Sequence, residues 1–127
     1  MKTLEIYQRD KIVETAAART PQFQARLKAL ADHPLVGEAR GMGLVGGVEL
    51  SADKNSKTPF DPKKLVGPKL VGFAQAEGLI VRPIGDVISI CPPLVIKPAE
   101  IDELFDKLEV ALNKTIDWAK GEQLLAA

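Results

Sequence analysis

Leu79-Ile80-Val81-Arg82-Pro83-Ile84-Gly85-Asp86-Val87-Ile88-Ser89-Ile90-Cys91-Pro92-Pro93 decides how this chain is read. Two apolar runs rich in β-branched residues, 79–81 and 87–90, flank a turn at Pro83-Ile84-Gly85-Asp86. The pattern predicts two strands joined as a hairpin, closed by a double proline. Arg82 is the one charge between Glu77 and Asp86, and it follows an apolar run. A guanidinium held in place is a two-pronged donor that suits a carboxylate or a phosphate. Two roles stand open for it at this point: contact with a substrate carboxylate, or structural pairing with Asp86.

Outward from this hairpin the chain alternates helices and strands. Residues 3–31 read as helix, with Ile12, Val13, Ala16, Ala17, Phe23, Leu27 and Leu30 near helical spacing. Pro21 must kink or split it, with Thr20 able to cap a second segment. Asp32-His33-Pro34 closes it. Residues 35–50 read as two short strands around Gly41-Met42-Gly43, whose glycines allow a bulge, a sharp bend or the close approach of another backbone. Residues 51–62 are a surface loop by composition. Residues 63–77 read as helix, with Gly78 where a C-terminal cap belongs. Pro98 opens the last helix at its favoured first position, with an apolar stripe of Ile101, Leu104, Phe105, Leu108, Ala111, Leu112 and Ile116. That helix is expected to fade after Trp118, with residues 121–127 fraying. Lys97 before it cannot accept helix N–H bonds, so this helix start is expected to be less well fixed. The order α-β-β-α-β-β-α predicts an α+β fold: a small, mainly antiparallel sheet with helices packed on one face. No internal repeat or second domain is read in residues 1–127, which are expected to form a single domain.

Length and composition bound the function. The chain has 127 residues, 46% hydrophobic and 27% charged, with a formal net charge of zero. That is a soluble globular profile long enough for one core. Charge balance argues against nucleic acid or an anionic membrane as an electrostatically driven partner. No apolar run approaches membrane-spanning length, and no signal-peptide core is present. The single cysteine, Cys91, excludes an intramolecular disulfide and fits a reducing compartment, so a cytoplasmic location is expected.

Several features resemble chemistry without supplying it. Gly41-Met42-Gly43-Leu44-Val45-Gly46-Gly47 has the look of a dinucleotide-binding turn. That motif needs a strand before it and a helix N-terminus after it, and here a β-like run follows. A structural bend is the favoured reading. His33 and Cys91 are each alone of their kind and lack partners at metal-ligand spacing, so no metal site is expected. His33 is expected to cap or to be solvated, and Cys91 to be a buried, inert thiol. Glu100, Asp102, Glu103, Asp106 and Glu109 alternate with the apolar stripe, as a solvated helix face does.

Taken together, the residues resemble the C-terminal small domain of class III pyridoxal-phosphate-dependent aminotransferases, the omega-transaminase group. The similarity runs through residues 33–44 (His-Pro-Leu-Val-Gly-Glu-Ala-Arg-Gly-Met-Gly-Leu), Val48-Glu49-Leu50, Gly78-Leu79-Ile80-Val81-Arg82, Gly85-Asp86, Pro92-Pro93-Leu94 and Ile101-Asp102-Glu103-Leu104. It covers nearly the whole chain. By this resemblance Arg82 matches the mobile arginine that some members use to bind a substrate carboxylate, and that swings aside for an uncharged amine. The resemblance also implies pyridoxal phosphate as the cofactor of the full-length family. Its Schiff-base lysine, the acid on the pyridinium nitrogen and the phosphate cup all lie in a large domain upstream of the part this chain resembles. No lysine here sits in a matching context, so catalytic and cofactor-binding residues are expected to be none, and binding of the cofactor by this chain alone is not expected. The implied partners are that large domain, in cis or in trans, and an amine or keto-acid substrate. The full-length family generally forms dimers, so a homo-oligomer is among the expected assemblies. Three readings follow, in this order: the aminotransferase small domain, inactive alone; a stand-alone interaction module that keeps the fold; and a carboxylate-binding sensor built on Arg82.

Overall fold

The computed structural model describes residues 1–126. Four helices, α1 (Lys2–Arg9), α2 (Ile12–Ala29), α3 (Val66–Ala76) and α4 (Pro98–Gly121), accompany strands β1 (Val36–Met42), β2 (Val45–Leu50), β3 (Arg82–Ile84) and β4 (Val87–Ile90). The strands form one open sheet in the order β1-β2-β4-β3, every neighbouring pair antiparallel. The expected α+β architecture is the observed one.

Each hairpin closes by the same device. Met42 pairs with Val45 and Ile84 with Val87, which leaves two-residue loops, Gly43-Leu44 and Gly85-Asp86. Gly43 (φ +59°) and Gly85 (φ +60°) hold the first loop position, where such tight turns need a positive φ that glycine adopts without a Cβ clash.

Alternation along the strands sorts side chains between two faces. Ala39, Val48, Ile88 and Pro83 lie in one inward row, and Gly41, Gly46 and Ile90 in the next. Helices α2 and α3 pack on this inner side, and α4 lies against both helices. The core joins Phe23 and Leu27 of α2, Leu70 and Ala74 of α3, and Ile101, Phe105, Leu108 and Leu112 of α4 to Val48, Ile88 and Ile90 of the sheet. Phe23 and Phe105 meet edge to face with ring centroids 5.2 Å apart. The glycines of the first hairpin permit this closeness: a Cβ on Gly41 or Gly46 would fall 2.6 or 2.8 Å from Leu27 Cδ2. The glycine-rich stretch is therefore a seat for α2, and the register shift of β1 lies earlier, between Val36 and Glu38.

Several expectations are corrected. The first helical region breaks at Lys11 (φ 48°, ψ 48°), and α2 is not split at Pro21, which lies inside it. Pro21 and Ala17, whose carbonyl loses its helical donor to the proline, are both exposed. Thr20 does not cap; its hydroxyl donates back to the Ala16 carbonyl at 3.1 Å. The third strand is Arg82–Ile84 rather than 79–81. Proline is tolerated there because β3 is an edge strand. Helix α3 starts at Val66, after a short 3₁₀ turn at Pro62–Lys64. Cys91 is exposed rather than buried.

Helix ends follow the expected chemistry at one site and exceed it at two. Gly78 (φ +78°) closes α3: its N–H donates to Gln75 O and that of Leu79 to Ala74 O, both at 2.9 Å. At the start of α4, Glu100 reaches back to accept the Lys97 N–H at 2.8 Å, so this end is fixed without an N-cap side chain. At its end, Gln123 (φ 55°) repeats the left-handed cap, with Leu124 N–H on Ala119 O. Ala126 N–H then donates to Ala52 O at 3.1 Å, which ties residues expected to fray onto the loop after β2.

Candidate functional site on the open sheet face

The outward rows of the sheet carry its chemistry. One row reads Arg40, Gly47, Ser89, Arg82 from edge to edge; the next reads Glu38, Glu49, Val87, Ile84. Arg40 Nη1 pairs with Glu49 at 3.0 Å and Glu38 at 3.6 Å, and Lys57 reaches Glu38 at 3.9 Å. Arg40 is thus consumed by a surface network. Arg82, at the other end of its row, is exposed and has no ion pair among the described residues. It lines a shallow depression of about 270 Å³ with Ile80, Val81, Ser89 and Cys91.

The pairing of Arg82 with Asp86 that the sequence left open does not form. Asp86 is turned to the start of α3, where its Oδ1 accepts the Gly67 N–H at 3.0 Å. That contact does from a distance what the N-cap residue Leu65 does not do with its own side chain. Partial burial pushes the Asp86 carboxyl above the ordinary range, and the Gly67 N–H opposes that rise. The main chain of Asp86 is used as well: its carbonyl accepts the Leu50 N–H at 2.9 Å. Asp86 therefore locks a turn, and Arg82 keeps a free guanidinium on an open surface.

His33 is structural. Its Nδ1 accepts the Leu35 N–H at 3.1 Å while its Nε2 lies 3.2 Å from Asn113 Oδ1 on α4. The first contact requires an unprotonated Nδ1, so Nε2 carries the proton to Asn113. Burial holds the His33 pKa below the usual value of 6.5, outweighing the Asn113 contact. A depressed histidine contributes stability above its unfolded pKa and loses it as pH falls through the folded value. Denaturant titrations across mildly acidic pH are expected to show this loss in the wild type and not in His33→Gln. An unchanged acid slope in the variant would refute the role.

None of the twelve lysines is buried. The two half-buried ones are engaged, Lys54 Nζ with the Ala31 carbonyl and Lys107 with Glu103 at 2.6 Å. A lysine that forms a Schiff base needs a desolvated pocket, whereas every lysine here is at least partly exposed. Among the described residues no group of His, Cys, Asp and Glu side chains is arranged to hold a metal ion. Among the described residues no helix is long and apolar enough to cross a membrane.

Comparison with known proteins places this arrangement. The family model for class-III aminotransferases matches residues 1–112. The chain belongs to that family. It is 38% identical over 130 residues to the diaminobutyrate–2-oxoglutarate transaminase of Halomonas elongata, covering 100% of this chain and 28% of that protein. It is 42% identical over 116 residues to the putrescine–pyruvate aminotransferase of Pseudomonas aeruginosa, covering 91% and 25%. The crystal structure of an omega-transferase from Vibrio fluvialis JS17 superposes with a TM-score of 0.91 at 37% identity, covering 94% of this chain and 29% of that one. A PMP-bound aminotransferase from Vibrio fluvialis gives a TM-score of 0.87 at 38% identity, over 91% and 26%. The chain thus spans about a quarter of the length of the proteins it matches.

Proposed function

We propose that this chain is the C-terminal small domain of a pyridoxal-phosphate-dependent aminotransferase of the omega-transaminase group, and that Arg82 receives the substrate carboxylate. The observation that carries the reading is an exposed, unpaired guanidinium on the open face of the sheet, in a chain matched along its length by a quarter of a class III transaminase. Residues 1–127 act as one domain in it. The cofactor supplies the electron sink for amino transfer, and the domain that holds it must come from elsewhere, in cis or in trans. By itself the chain is inactive. Its assembled form is cytoplasmic, takes an amine and a keto acid, and is a homo-oligomer. The omega-transaminase assignment rests on the order and spacing of all the matching stretches between residues 33 and 104.

Because β3 is an edge strand, the long Arg82 side chain can lie over Ser89 or extend past the sheet edge into water. A retractable cation lets one pocket accept a carboxylate and then an apolar group, whereas a fixed one would leave a buried charge unpaired. Arg82 also dictates orientation: the outward sheet face must turn toward the cofactor domain.

Two experiments test the proposal. The purified chain incubated with pyridoxal phosphate and reduced with borohydride is expected to show scattered, substoichiometric lysine labelling. A stoichiometric adduct on one lysine would mean that the chain builds its own cofactor site. In a chimera where the chain replaces the matching segment of the Pseudomonas aeruginosa relative, Arg82→Ala is expected to cut kcat/KM for carboxylate-bearing substrates by about tenfold or more. Plain amines should be much less affected, and equal losses on both would remove Arg82 from carboxylate recognition.

A further inference from the structure

A second concavity touches the Gly85-Asp86 turn and shares no lining residue with the depression at Arg82. It is a cleft of about 410 Å³ between the loop after β2, the start of α3 and that turn. Phe60, Pro62, Leu65 and Pro68 are among its apolar lining residues, and Glu49 and Asp86 are its acidic ones. Pro62 and Pro68 fix the backbone dihedral where they stand, so this lining is pre-formed. Leu65, which lines the cleft, is held at φ +53°, a conformation that costs a residue with a Cβ, and is 60% exposed. Strain of this kind collects where a surface must present a side chain in one place.

We propose that this cleft binds a primary ammonium group carried on a short aliphatic chain. The Asp86 carboxylate is half-buried, spends one oxygen on the Gly67 N–H and has no cation beside it among the described residues. Partial burial raises its proton affinity, and the Gly67 N–H only partly offsets this. Glu49 uses Oε2 for Arg40. An anion is disfavoured, because both polar side chains of the cleft are acceptors and the Gly67 N–H at the α3 N-terminus is already occupied. Other charges nearby are committed or peripheral. Arg40 of β1 is held by Glu38 and Glu49. Asp61 accepts the Lys63 N–H. Lys63 and Lys64 are exposed and do not line the cleft. The apolar walls ask for methylenes and the carboxylates for N–H donors, a combination met by an alkylammonium. This inference stands on the cleft alone and does not require the aminotransferase reading.

The test is an amide-resolved NMR titration of the 127-residue chain with n-butylammonium chloride, with n-butanol and butyrate as matched probes. The expected result is saturable shifts at Leu65, Gly67, Asp86 and Val87, with a dissociation constant of millimolar order. Butanol and butyrate should be far weaker. Asp86→Asn keeps an oxygen for the Gly67 N–H and should weaken binding about tenfold. Glu49→Gln should weaken it less. Binding should fall away as pH drops from about 7 to about 4, beginning above the range of an ordinary aspartate. Butanol shifts of equal size and pattern, an Asp86→Asn variant that binds like wild type, or no saturable shift would each overturn the proposal. Should Asp86→Asn not fold, a wild-type affinity unchanged over that pH range would overturn it.

Discussion

Phe105→Ala is expected to destabilise the chain by about 4 kcal/mol, measured as a lower urea midpoint at unchanged slope. Phe105 is fully buried on α4 and meets Phe23 edge to face with centroids 5.2 Å apart. Its ring also lies 5.8 Å from the Arg26 guanidinium. Truncation removes transfer energy, opens a cavity that α2 and α4 cannot both collapse into, and strips the Phe23 ring of its partner. Arg26 would keep its ion pair with Asp106, so the loss should hardly change with salt. A change under about 1 kcal/mol would mean that the α2–α4 contact repacks and is not the rigid centre described above.

Gly67→Ala should cost about 3 kcal/mol for the addition of a single methyl group. A Cβ at this position would lie 2.1 Å from the Gly85 carbonyl oxygen and 3.2 Å from the Asp86 Cα. These are backbone atoms of a tight turn, so no side chain can swing away to make room. Either α3 tilts off the sheet or the turn opens, and both break the bond from Gly67 N–H to Asp86. Glycine in a helix is ordinarily worse than alanine, so the sign of this substitution is diagnostic. Thermal melts of Gly67→Ala and Gly72→Ala should move in opposite directions, because a Cβ on Gly72 meets nothing within 4 Å. Equal shifts would deny the turn its role as a stop for α3.

The contrast between those glycines shows what could be read before the structure and what could not. Gly78 was legible because a helix followed by glycine has one common solution, and both cap bonds are present. The α4 stripe was legible because 3.6-residue spacing admits one buried face. Lys11 was not: nothing in Asp10-Lys11-Ile12 demands a left-handed residue, whereas Pro21, which does carry a helix-breaking signal, is exposed and leaves α2 unsplit. Leu79 and Val81 are apolar because they are buried beside the sheet, not because they pair within it. The exposure of Cys91 was recoverable, since Ile88 and Ile90 point inward and strict alternation sends Ser89 and Cys91 outward. At the candidate site, Arg82 was found from its isolation in an apolar run. Its freedom was not, because the residue that occupies Asp86, Gly67, lies nineteen positions away. The ammonium cleft could not be seen at all, since its walls come from separated segments that only the fold brings together.

Pro83 lies opposite Ile88, at a position one removed from the turn-proximal pair Ile84–Val87. In that register its missing N–H would have pointed away from β4, toward whatever might extend the sheet. The other free edge, β1, carries an irregular register at Gly37 and the charged side chains of Glu38 and Arg40. Both margins are thus poorly suited to accept an added strand, which guards the chain against edge-to-edge aggregation. Its broad face has no such guard. A protein that meets this sheet is thereby steered to lie flat upon it, and recognition depends on the relief of its outward side chains rather than on backbone hydrogen bonding.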